Sequence, residues 1–167
     1  FGFDHLLFVL GLVLLVRPRQ LLGTVTAFTV AHSITLAASA LGGVTLPGPP
    51  VEIVIAMSIA LLGAEAIYRM RGQDTLAQNQ PWIIAFGFAG ALSDIGLPKG
   101  AEIFALLLFN LGVEVGQVAF VIFVLALAWV GQRLYRQGAP FVRTAAAYAI
   151  GITGSFWAIE RIAATFF

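Results

Sequence analysis

The chain has 167 residues, 60% of them hydrophobic and only 10% charged, with a formal net charge of +1. Ordinary soluble domains carry roughly 25% charged residues, so this composition is not built for water, and the near-neutral balance removes the electrostatic case for binding nucleic acid. Cysteine is absent, which excludes disulfides and thiolate ligands and leaves histidine, carboxylate and amide oxygen as the possible metal donors.

Apolar runs bounded by turn residues and charges predict six spans. The first, residues 1–16, begins at Phe1 inside its own apolar run and has no signal-peptide pattern. At 1.5 Å per residue it reaches roughly 24 Å, short of a hydrocarbon core of about 30 Å, so residues upstream of Phe1 are expected to be missing. "RPRQ" separates it from a second span, 21–41, whose roughly 32 Å fits the core. "GGVTLPGPP" leads to a third, 51–68, and "RMRGQDTLAQNQ" to a fourth, 81–92. The fourth would reach only roughly 18 Å, so it is either a half-helix buried among neighbours or lacks residues near 86. "SDIGLPKG" introduces a fifth span, 101–130, and "GQRLYRQGAP" a sixth, 144–166. No fixed-period repeat is visible. The expectation is one transmembrane domain over 1–167, an all-α polytopic integral membrane helical bundle of about six transmembrane helices surrounded by lipid.

Arginine placement sets the expected orientation. Arg17 and Arg19 follow the first span, Arg69 and Arg71 the third, and Arg133, Arg136 and Arg143 flank the turn after the fifth, which is seven of the nine basic residues on one side. By the positive-inside rule those turns are cytoplasmic and both termini are periplasmic. Trp82, Trp129, Tyr68 and Tyr135 then fall at the inner interface and Trp157 toward the outer one, as amphipathic anchors.

An ionisable side chain at bilayer depth costs about 2.5–3.5 kcal/mol, so each such group needs a partner or a task. Asp4 and His5 lie near the outer end of the first span and His32 near the middle of the second; Glu52 opens the third, with Glu65 deeper. Asn110, Glu114 and Gln117 follow i, i+4, i+7 and line one stripe of the fifth, while Gly112 and Gly116 fall about 160–200° away. The "GVEVG" side is therefore expected to admit a neighbouring helix closely, and the polar stripe to face the bundle. Thr29, His32 and Ser33 form a matching ridge on the second span. If the ridges face each other below Asp4 and His5, they make a polar path.

Structural roles compete with that reading. Thr29, Ser33 and Thr35 suit bonds to carbonyls one turn back. Glu52 suits a helix dipole, and Glu65, four residues from Arg69, suits a snorkelling ion pair as well as a functional role. "GITGS" and "GFAG" read as packing surfaces.

The segments "GFDHLLFVLGLVLL", "TAFTVAHSITLAASALG", "VEIVIAMSIALLGAE", "GFAGALSDIGLP" and "LLLFNLGVEVGQ", in this order, resemble the HupE/UreJ family of bacterial membrane proteins. The likeness weakens after about Gln132. The family occurs as hydrogenase and urease accessory proteins regarded as nickel or cobalt permeases, and its acidic and histidine positions correspond to Asp4, His5, His32, Glu52, Glu65, Asn110 and Glu114. Two departures stand out. The family's additional histidine ahead of "DHLLF" would precede Phe1, and its histidine-glycine pair ahead of "GFAGAL" is replaced by "PWIIAF".

The resemblance implies a permease of the bacterial inner membrane, with nickel or cobalt, or zinc, as transported ligand and no tightly bound cofactor. Imidazole and oxygen donors without sulfur suit such borderline divalent ions. Asp4 with His5 is the expected outer station, and His32 with Glu114 and Asn110 the mid-membrane one, arranged as staged sites because conduction needs weak binding. Protonation of His32 would compete with metal, so uptake should fall in mild acid. No G-x-x-x-x-G-K loop is present to bind ATP. The alternatives are a non-transporting accessory subunit, as a homo-oligomer or beside another membrane protein, and an intramembrane hydrolase. Enzymatic activity is not expected, because "TGSF" does not place its serine as a G-x-S-G nucleophile loop would.

Overall fold

Prolines mark where helices begin in this chain. Pro18 takes the first position of a helix, and Pro49 and Pro50 lie in the first turn of another, where the N–H they lack has no intrahelical partner to lose. The computed structural model describes residues 3–42, 48–80, 102–134 and 138–166. Among these every regular element is helical and none is a strand: α1 (Phe3–Leu15), α2 (Pro18–Gly42), α3 (Gly48–Met70), the single turn α4 (Leu76–Asn79), α5 (Glu102–Leu134) and α6 (Ala139–Phe166). Five of the six expected spans have a helix at the expected place. The fourth, 81–92, lies outside the described residues, as do "GFAG", Trp82 and Tyr135.

Two helical stretches, Pro49–Met70 and Leu108–Leu134, are long and apolar enough to cross a membrane, and Phe3–Leu15 is a shorter apolar helix. α3 stops at Gly72, whose φ of +78° is open to glycine without the Cβ penalty other residues meet. Its N–H donates to the Arg69 carbonyl at 3.0 Å and that of Gln73 to the Tyr68 carbonyl at 3.1 Å, the paired bonds of a Schellman ending.

The core joins four helices: Phe8, Leu12 and Leu15 of α1 and Leu21, Phe28 and Ala31 of α2 meet Ile55, Ile59, Leu62 and Ala66 of α3, with Ala147 and Ile150 of α6 closing the cluster. Three of them, α1, α3 and α6, make a frame. α3 and α6 run antiparallel at backbone contact. A Cβ built on Gly63 would lie 2.4 Å from the Gly151 Cα, and one on Gly154 would lie 2.4 Å from the Ala60 nitrogen. Such proximity suits lipid surroundings, where apolar side chains gain little by leaving lipid tails and helix association depends on close van der Waals packing. The packing role expected of "GITGS" is what Gly151 and Gly154 perform.

Side chains fasten both ends of this three-helix frame. At one end Arg69 Nη1 donates to the carbonyls of Leu14, at 2.9 Å, and Leu15, carbonyls that the end of α1 leaves without helical partners. Thr144 Oγ1 reaches Met70 Sδ at 3.5 Å beside them. At the other end Arg161 bridges α6 to α1 and α3.

α5 corrects one expectation. Gly112 and Gly116 are exposed, and a Cβ on either would meet nothing within 4 Å, so the "GVEVG" side admits no close neighbour among the described residues. α5 is buried through its polar stripe, at Asn110 and Gln117, and leaves Leu111, Val115, Ile122 and Phe123 exposed.

Candidate functional site

The inward face of α2 carries Thr26, Thr29 and Ser33, each one or two turns from the next. Thr29 Oγ1 lies 3.2 Å from the Val25 carbonyl and Ser33 Oγ donates to the Thr29 carbonyl at 2.7 Å, the back-bonds expected of these residues within a helix. Thr29 Oγ1 is also 3.3 Å from Gln117 Oε1, and Thr26 Oγ1 donates to Glu114 Oε1 at 3.0 Å. The stripes of α2 and α5 therefore face each other at these residues, which is the condition the sequence reading set for a polar path. Asn110, one turn before Glu114, is buried on the same stripe. The seam offers a carboxylate oxygen, amide oxygens and hydroxyls. These are hard donors that suit a cation or a protonated group better than an anion.

Beside the seam stands a histidine pair. His32 is 1% exposed, and its ring lies 6.0 Å from that of His5, inclined by 72°. Phe28, one turn earlier on α2, is parallel to His32 at 5.9 Å and edge-on to His5 at the same distance; Phe8 packs behind it at 5.4 Å. This aromatic wall packs both imidazoles, and the 6.0 Å between ring centres is within the roughly 5–6 Å that two rings bonded to one ion at 2.0–2.1 Å would span.

His32 and Glu114 have different described neighbours. The described contacts of His32 are with His5 and Phe28, whereas Glu114 is held by Thr26, six residues and roughly 9 Å earlier along α2. Among the described residues no three His, Asp or Glu side chains come together as a group that could enclose a metal ion.

The remaining candidates are distributed elsewhere. Asp4 and Glu52 are both taken by Arg161. Nη2 lies 3.2 Å from Asp4 Oδ2 and Nε 3.4 Å from Glu52 Oε2, while Nη1 donates to the Glu52 carbonyl at 2.9 Å. Arg161 also lies over the Trp157 ring at 5.7 Å. Glu65 is buried, and its Oε1 accepts the Leu76 N–H at 3.0 Å, so it anchors α4. Arg69, read from sequence as its possible partner, instead donates to the end of α1.

Three participants escape sequence reading. Thr26 shares its stripe with Thr29 and Ser33, and i, i+3, i+7 spacing would have found it. Phe28 is one aromatic among many until its ring is seen against His32. Arg161 is one of two basic residues away from the arginine-rich side, and that departure was its signal.

Among the described residues these features define a helical bundle with two helices long and apolar enough to cross a membrane and polar stripes paired between α2 and α5. A family model described as "HupE / UreJ protein" matches residues 1–161, and the chain belongs to that family. No curated protein and no solved structure matches it.

Proposed function

We propose that this chain is a permease of the bacterial inner membrane that admits a borderline divalent cation, nickel or cobalt. The family supports a nickel- or cobalt-related accessory or permease-like role, and the donor chemistry agrees with it. The observation that carries the reading is the His5–His32 pair, two imidazoles 6.0 Å apart on different helices, standing next to an oxygen-rich seam. Two nitrogens hold an ion more weakly than a closed four-ligand cage, and staged weak sites are what conduction needs. His5 and His32 form one stage and Glu114, with the amides of Asn110 and Gln117, another.

The orientation proposed with it has six spans and both termini periplasmic. Its support is the separation of charges between ends of the frame: Asp4, Glu52 and Arg161 at one end, Arg17, Arg69 and Arg143 at the other. The test is cellular accumulation of nickel and cobalt by the full-length protein and by His5→Ala, His32→Ala and Glu114→Ala variants, with membrane levels checked by immunoblot. All three variants should lose most uptake at unchanged abundance. Wild-type uptake in His32→Ala and Glu114→Ala would overturn the reading and favour a non-transporting subunit.

A further inference from the structure

At the arginine-rich end of the bundle, α3, α5, α6 and the end of α1 enclose an open cleft of about 690 Å³. Its polar lining is Arg69, Arg143, Gln132 and Thr144, and Leu14 and Met70 supply apolar wall. No carboxylate is among the described lining residues. Arg17 and Arg143 are both near enough to Arg69 to act on it electrostatically, so three like charges gather here without a compensating acid in the described lining. The first turn of α6, at Ala139 and Pro140, opens on the same cleft and adds the positive end of a helix dipole.

Arg69 is already positioned. Its Nη1 is committed to the carbonyls of α1, which holds the rest of the guanidinium in place with further N–H groups to offer. Arg143 is exposed and free to close over a ligand. Leu14, Met70, Ala139 and Pro140 lie in the same lining, so basic and apolar walls meet within one cleft.

From this juxtaposition we propose that the cleft binds the phosphate group of an anionic phospholipid, whose acyl chains leave past Leu14 and Met70. Two arginines and a helix N-terminus match a phosphodiester, and the adjoining apolar wall matches its tails better than it would a small soluble anion. Basic pockets between helices at the cytoplasmic face are a recurrent place for such headgroups.

The experiment uses the purified full-length protein, delipidated in a neutral detergent. Phosphatidylglycerol, phosphatidylcholine and inorganic phosphate are added separately, and lipid retention is read by native mass spectrometry alongside the thermal midpoint. Wild type should retain phosphatidylglycerol and gain in midpoint, with neither effect from phosphatidylcholine or phosphate. Arg143→Gln should weaken retention about fivefold. Arg143→Lys should keep most of it, and Arg133→Gln, which removes the same charge at the same end but outside the lining, should keep all of it. Equal loss in Arg143→Gln and Arg133→Gln, an equal effect of inorganic phosphate, or no preference for the anionic lipid would overturn the proposal. None of these readouts involves metal, so they stand or fall apart from transport.

Discussion

Replacing Gly63 by alanine tests whether α3 and α6 truly lie backbone on backbone. The added Cβ would sit 2.4 Å from the Gly151 Cα and nitrogen and 3.0 Å from the Ala147 carbonyl oxygen. All three neighbours are main-chain atoms, so no side chain can rotate away. The helices must part by roughly 1 Å to restore ordinary contact, and a gap of that size forfeits a quarter to a half of the dispersion energy of each separated atom pair. Overpacking of this kind costs about 1–3 kcal/mol, while alanine returns up to about 1 kcal/mol of helix propensity, so a net loss of about 1–2 kcal/mol is expected. Gly112→Ala provides the contrast, because its Cβ meets nothing within 4 Å and only the propensity gain remains. Equilibrium unfolding of the purified protein in mixed micelles, followed by tryptophan fluorescence and helical circular dichroism, should place the two variants on opposite sides of wild type. A Gly63→Ala protein as stable as wild type, or a Gly112→Ala protein weakened to the same degree, would refute the close approach.

Gly72→Ala forces a Cβ into a left-handed conformation, and the same unfolding measurement should show a cost of about 1–2 kcal/mol. Thr26→Val removes the hydroxyl that holds Glu114 and should cost about 0.6 kcal/mol, the average for hydrogen bonds between membrane helices. Glu114→Gln keeps an oxygen for Thr26 to bond and should preserve stability while lowering metal accumulation; parallel loss of both would make Glu114 a structural residue. Arg161→Gln releases Asp4 and Glu52 together; the Glu52 side chain is 60% exposed and screened by solvent, but Asp4 and Arg161 are each 21% exposed, so the loss should be about 1–3 kcal/mol, most of it from the Asp4 pair. A larger drop in the unfolding midpoint would mean that Arg161 does more than pair charges.

Helix placement was legible because apolar runs and their punctuation are local properties. "RPRQ" and "LPGPP" mark helix starts in any surroundings, and the i, i+4, i+7 spacing of Asn110, Glu114 and Gln117 fixes a common face before any partner is known. Partnership was less legible. Gly112 and Gly116, four residues apart, offer a small-residue surface as Gly151 and Gly154 do at a spacing of three, but among the described residues only the second pair meets another helix, since spacing describes a surface and not what covers it. Glu65 and Arg69 stand one turn apart and suggest a bond to each other, yet the Leu76 N–H and the open carbonyls of α1 take them instead. Such long-range contacts depend on how helices are arranged, which no short window contains.

The glycine contact also governs how this protein can deform. Where main chain rests on main chain at Gly63 and Gly154, no side chain lies between α3 and α6 to absorb a shift, so this pair resists sliding as a single plank. α2 and α5 are joined through the far ends of threonine, glutamate and glutamine side chains, which can exchange partners as the helices slide. Shear between helices therefore concentrates along the oxygen-rich junction and spares the glycine seam.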